Sequence, residues 1–249
     1  MTDRQWLNAM RRHGGSDLRW RSGRLIGDAS SQAQVLDALT KEDPQRFARL
    51  LLAIPPGTAE AYLGAILSGL ATARLDSDML VAVCRHARDL GGSDANRWLV
   101  RLVQAHAAGT VSDELVRLVA DIAVGDPDPA RRESGETWNG GSIESAALNS
   151  TRGAAALALG DLLAEDPGRL PLVEPALQEL VADPQPEVRA STIAALAPLL
   201  YTAPTMPWRC STPPSTRLPR TSSAAAMSST SSTVPSDAAG TQTSPPPSG

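Results

Sequence analysis

Lys41 is the only lysine in the chain, and it is the first residue to test for phosphate chemistry. A phosphate-binding loop needs a glycine-rich turn ending in Lys-Ser/Thr, because the ammonium neutralises the β- and γ-phosphates. Lys41 stands in Thr40-Lys41-Glu42-Asp43 with no glycine loop before it, which excludes ATP hydrolysis by that route. No glycine triplet follows a strand-like run, so a dinucleotide fingerprint is absent as well. His13, His86 and His106 are far apart and have no partner at metal-ligand helical spacing. In Cys84-Arg85-His86 the thiol and imidazole are two apart, and such neighbours do not face each other on a helix; Cys84 reads as helix core and His86 as a partly exposed polar residue. No serine sits in a nucleophile elbow. The carboxylate pairs Asp76/Asp78 and Glu165/Asp166 fall at helix ends, where capping accounts for them. The expectation is a chain with no catalytic residue, no cofactor and no metal.

Four polar or aromatic residues remain of interest: Asn149, Arg152, Arg189 and Trp138. Asn149 and Arg152, three apart in a predicted helix, share a face beside an alanine-rich stripe. They suit either a polar anchor on a ligand surface or a ladder of hydrogen bonds between structural repeats. Arg189, at the same register of a second segment, supports the ladder. Trp138 is the one large apolar group in residues 125–141, the longest interruption of the helical pattern. Long loops of this kind often lie on a binding face, and a tryptophan folded back on the body is the alternative.

The elements that would position these residues are helical. Apolar residues recur at i, i+3, i+4 and i+7 and do not alternate over any strand-length run. The pattern predicts helices over 4–12, 29–41, 44–53, 58–73, 77–89, 94–108, 112–124, 142–164, 169–182 and 185–200. Four Asp-Pro pairs, at 43–44, 126–127, 166–167 and 183–184, place a capping carboxylate before a proline that has no amide hydrogen to lose in a first turn. Short connections make neighbouring helices antiparallel. Residues 150–163 can be laid over 187–200 at an offset of 37, matching Arg152 to Arg189, Ala158 to Ala195 and Leu159 to Leu196. A period near 40 with two helices per unit marks a helical solenoid, whose thin units must stack to bury their apolar faces.

Asp183-Pro184-Gln185-Pro186-Glu187-Val188-Arg189, followed by Ala194-Ala195-Leu196, resembles the start of the second helix of a HEAT repeat. The resemblance implies an aspartate cap, an inward valine and alanines, and an arginine running along the stack. Residues 29–200 also look like the helical-repeat part of bacterial STAND-type NTPases, a class that includes antiphage sensors. That likeness rests on Asp43-Pro44-Gln45-Arg46-Phe47-Ala48, Tyr62-Leu63-Gly64-Ala65-Ile66-Leu67 and Ala147-Leu148-Asn149-Ser150-Thr151-Arg152-Gly153-Ala154-Ala155; the NTPase part itself is missing.

Charge and composition narrow the partner. Three arginines and one acid leave residues 201–249 at +2 and the first 200 residues at −6, within a total of −4. An acidic body disfavours nucleic acid, which needs a basic surface to displace counterions. The two cysteines make neither a disulfide framework nor a zinc spacing, and suit a reducing compartment. The N-terminus lacks a signal-peptide stretch and no run of 18 apolar residues exists, so a cytoplasmic protein is expected. Residues 201–249 are about three-fifths Ser, Thr and Pro, a composition that does not offset chain entropy.

That tail reads as the out-of-frame translation of a further repeat. Met206-Pro207-Trp208-Arg209-Cys210 is encoded by ATG CCN TGG CGN TGY. The frame one nucleotide earlier contains GCC NTG GCG NTG, an apolar alanine-rich run like those of the body. A native low-complexity tail is the alternative. An uncapped C-terminal repeat would favour self-association.

The chain is therefore expected to be all-α: a right-handed HEAT-like α-solenoid of antiparallel helix pairs over 1–200 with a disordered tail over 201–249. Its expected function is a non-catalytic interaction or sensor module for a protein partner, a fragment of a larger bacterial signalling or defence NTPase. The other class is a HEAT-like enzyme, a DNA-repair glycosylase or a tetrapyrrole lyase. The first needs a basic groove with a carboxylate and aromatics, the second a ligating cysteine or acid. The acidic body and an aromatic content of 3% disfavour both.

Overall fold

The computed structural model describes residues 1–14, 19–21, 24–26, 28–109, 111–128 and 142–202. Met1–Met206 make one compact unit; residues 203–249 of the expected tail and Trp138 lie outside the described residues, while 201–202 continue α11. The fold is helical: α1 (Asp3–Arg12), α2 (Ala29–Glu42), α3 (Pro44–Leu52), α4 (Glu60–Leu70), α5 (Ser77–Leu90), α6 (Ser93–Ala105), α7 (Asp113–Gly125), α8 (Ile143–Asn149), α9 (Thr151–Glu165), α10 (Leu170–Val181) and α11 (Pro186–Thr202). A short antiparallel ladder of β1 (Arg19–Arg21) with β2 (Arg24–Ile26) lies between α1 and α2, with Trp20 opposite Leu25. Sequence periodicity missed it because three residues per strand are too few to show alternation.

Helix starts follow side-chain capping. Asp28, Asp43, Asp76, Ser112, Ser142 and Ser150 each accept the amide three residues on, satisfying a donor that the helix leaves unpaired. At α1, Thr2 and Gln5 form a reciprocal capping box. This helix buries Trp6 and Met10. Trp6 meets Phe47 of α3 edge-on at 6.5 Å, and Arg46 Nε reaches Asp3 Oδ1 at 2.8 Å.

Two of the four Asp-Pro pairs start a helical turn directly: Asp43-Pro44 opens α3, and Asp166-Pro167 opens a 3-10 turn, Pro167–Arg169, that leads into α10. The other two do not. Asp126 and Asp183 each fold the chain into a local turn by accepting the amide two residues on, from Asp128 at 2.9 Å and Gln185 at 2.8 Å.

A single helix over 142–164 is also corrected. Ser150 is extended (φ −93°, ψ 147°) and its hydroxyl caps α9 through the Gly153 amide at 3.1 Å. The chain breaks there into α8 and α9. The alanine-rich pattern runs through both helices, so periodicity alone does not register the break.

Packing joins alternate helices. α2, α4, α6, α9 and α11 each pack on the next in that order, and α3, α5, α7 and α10 do likewise. Leu36, Ile66, Leu99, Leu159 and Val188 from the first set, and Phe47, Val83, Val119 and Val173 from the second, are fully or almost fully buried. α8 is additional to both sets and packs on α9 and α11.

Candidate functional site

The polar residues singled out in the sequence separate in space. Asn149 is the last residue of α8 and is exposed; its amide Nδ2 donates to Ser145 O at 2.8 Å. Arg152 lies in the first turn of α9, on the other side of the break, so the two do not share one helix face. Arg152 Nη1 pairs with Asp183 Oδ2 at 3.1 Å, with side chains 14% and 7% exposed. Arg189 Nη1 donates to Asp183 O at 2.6 Å. Asp183 thus stands between the two arginines matched by the internal repeat, its carboxylate on Arg152 and its carbonyl on Arg189. Glu187, fully buried in the first turn of α11, places a second acid at that helix start, where the dipole favours it.

A similar Asp turn lies earlier in the chain. Asp126-Pro127-Asp128-Pro129 and Asp183-Pro184-Gln185-Pro186 share an Asp-Pro-X-Pro order. As α9 supplies Arg152 to Asp183, α6 supplies Asn96, whose Nδ2 donates to Asp126 Oδ2 at 2.7 Å in a buried contact. Each turn is therefore held by the helix before it in the first set. Asp128 adds a clamp: its carboxylate accepts the Thr151 amide at 2.6 Å and its carbonyl accepts the Arg152 amide at 3.1 Å. Residues 128 and 151, which lie on either side of α8 in the chain, are joined directly. The doubled Asp-Pro-X-Pro was the available signal for Asp126 and Asp183. Reading each Asp-Pro pair as a simple cap obscured it.

A second set of residues, missed in the sequence, lies along α6. Arg97 Nη1 donates to Asn149 O at 2.8 Å and Arg101 Nη2 to Leu148 O at 3.1 Å. The two guanidiniums, four residues apart on one helix face, hold consecutive carbonyls at the C-terminal end of α8. Arg97 is oriented by Asp94 at 2.6 Å, and Arg101 lies over the Trp98 ring at 5.1 Å. Trp98 packs where Gly64 of α4 has no side chain; a Cβ there would come within 2.9 Å of the indole. One turn further on, Gln104 donates to Asp161 of α9 at 2.6 Å. Arginines and amides scattered along one helix have no motif, so only the fold brings them onto α8 and α9.

The remaining reactive side chains serve the fold. Cys84 is fully buried, and burial pushes its thiol up to about 12, so it carries no thiolate at neutral pH. His86 Nε2 lies 3.0 Å from Ile54 O. His106 bridges two segments: the Leu75 amide donates to its Nε2 at 3.2 Å, and its Nδ1 lies 2.9 Å from Leu102 O. With Nε2 accepting, Nδ1 must carry the proton. Long-range ¹⁵N–¹H correlation should show that tautomer, and His106→Ala should cost about 1–2 kcal/mol in urea melts by leaving the Leu75 amide unpaired. An Nε2–H tautomer would contradict the assignment.

Among the described residues, no three His, Cys, Asp or Glu side chains are grouped to hold a metal ion. Nor is any helix among them long and apolar enough to cross a membrane. No family model matches the chain, and no match was found among the curated proteins or the solved structures.

Proposed function

We propose that the chain is a non-catalytic helical-repeat module that binds or senses a protein partner, built as a right-handed HEAT-like α-solenoid and working in the cytoplasm. Packing between alternate helices supports the solenoid, because stacked helix pairs touch mainly their counterparts in adjacent units. The two Asp-Pro-X-Pro turns, each gripped by a polar side chain of the preceding unit, support it further. The module is read as part of a larger bacterial signalling or defence NTPase of the STAND type, with the NTPase supplied by a neighbouring open reading frame. The acidic body speaks against nucleic acid as the partner.

The observation that carries the interaction reading is the α6 surface of Arg97, Trp98 and Arg101, which already holds a helix end outside both packed sets. A photocrosslinking residue placed at Trp98, with the chain expressed in its own cells, is expected to yield one discrete protein adduct. The same residue at exposed Arg117 on α7 is the control and should yield none. Equal labelling from both positions, or none from either, would count against the reading.

A further inference from the structure

We propose that the Arg97–Trp98–Arg101 surface of α6 is a receptor for the C-terminal end of a short helix in a partner protein, and that α8 fills it in cis. This rests on the interaction reading above and specifies what the surface recognises.

The contact reads backbone rather than side chains. Arg97 and Arg101 donate to the carbonyls of Asn149 and Leu148, groups that every helix leaves unpaired at its C-terminus and where the dipole is negative. Both guanidiniums are held in place by groups on their own helix, Asp94 and the Trp98 ring. Any helix end of suitable shape meets the same donors, and one ending in a free carboxylate adds charge to the hydrogen bonds.

α8 is a weak occupant. It has seven residues, of which only Ala147 is buried, and Leu148 is 51% exposed. A helix this short is not stable alone, so undocking and unwinding are one event. Its departure leaves α9 held, because Asp128, which precedes α8 in the chain, grips the start of α9. The corresponding α10–α11 connection makes its turn with Asp183-Pro184-Gln185-Pro186 and carries no helix like α8. A tethered segment competes at an effective concentration in the millimolar range, so a partner helix must bind well below that to displace it.

Gly153 offers a way to release α8 without touching the receptor. A Cβ there would clash with Ala147 O and Ser150 Oγ, and that hydroxyl joins the end of α8 to the first turn of α9, so Gly153→Ala drives α8 off and loosens the α9 cap. In hydrogen exchange on the full chain, the variant is expected to speed exchange over 143–149 at least tenfold, to change the first turn of α9 and the side of α11 that α8 covers by less, and to leave α2, α4 and α6 unchanged. A fluorescent N-acetylated peptide of residues 142–150 with a free C-terminus should then bind Gly153→Ala saturably. It should bind wild type at least tenfold more weakly, and Gly153→Ala/Arg97→Ala/Arg101→Ala not at all. An α8 that exchanges freely while the peptide fails to bind overturns the proposal. Should Gly153→Ala fail to fold, Arg97→Ala/Arg101→Ala decides: selective loss of protection over 143–149 supports it, and unchanged protection there overturns it. A discrete crosslink from position 98 without a peptide site would sink this inference alone. A peptide site without a cellular crosslink would instead support the receptor and count against the partner reading.

Discussion

Asp183→Ala is expected to be the most damaging single substitution in the body, at about 3–5 kcal/mol, because it removes one carboxylate of an ion pair that has little access to water and undoes a turn at the same time. Arg152 loses the carboxylate 3.1 Å away, and the Gln185 amide loses the acceptor that forms the turn before α11. Both effects fall at one junction. In a domain of this size each kcal/mol is worth roughly 2–4 °C, so the melting temperature should fall by on the order of 10 °C. Asp183→Asn keeps an oxygen for the Gln185 amide and removes only the charge; it should lie between the two. Asp126→Ala breaks the similar turn earlier in the chain, where the partner is the neutral Asn96, and should cost less, about 1–3 kcal/mol. Equal losses at 126 and 183 in urea melts would show that the arginine pair adds nothing beyond the turn.

Gly160→Ala is expected to destabilise although it puts a better helix former inside α9. Alanine is favoured over glycine by about 1 kcal/mol in a helix interior. Against that, a Cβ at 160 would lie 2.6 Å from Ala195 Cβ, 2.7 Å from Ala195 O and 2.8 Å from Ala195 Cα. Two of those atoms are backbone, so α9 and α11 must separate along their shared face, and overpacking of this kind costs about 1–3 kcal/mol. The net loss should be up to about 2 kcal/mol after the propensity gain. Gly125→Ala provides the opposite sign: nothing lies within 4 Å of its Cβ position, and a gain of about 0.4–1 kcal/mol is expected. Paired thermal melts measure both. A stabilised Gly160→Ala would mean that α9 and α11 stand further apart than these distances.

Both substitutions act where α9 meets α11, and that is also where sequence and tertiary structure divide. The sequence by itself determined that the body is helical, where its helices lie to within a few residues except at the break between α8 and α9, and that α9 resembles α11. These follow from interactions three or four residues apart, which leave a period that can be counted. It also determined that Cys84 belongs to a core, since an apolar position in a regular period has one buried face.

Tertiary structure alone decided the rest. The alanine-rich run from 143 to 165 looks like one helix because its period survives Ser150; the break is made by that residue's cap and by Asp128 reaching in from 23 positions earlier in the chain. Asn149 and Arg152 were therefore taken for one face and belong to two helices. Arg97 and Arg101, which sequence reasoning did not single out, hold the end of α8 across gaps of 52 and 47 residues. Asp183 stood in plain view as a cap, but its pairing with Arg152 depends on the stacking of α9 on α11. A period records what a residue does to its own helix. Contacts between residues tens of positions apart leave no period, so the folded chain is needed to find them.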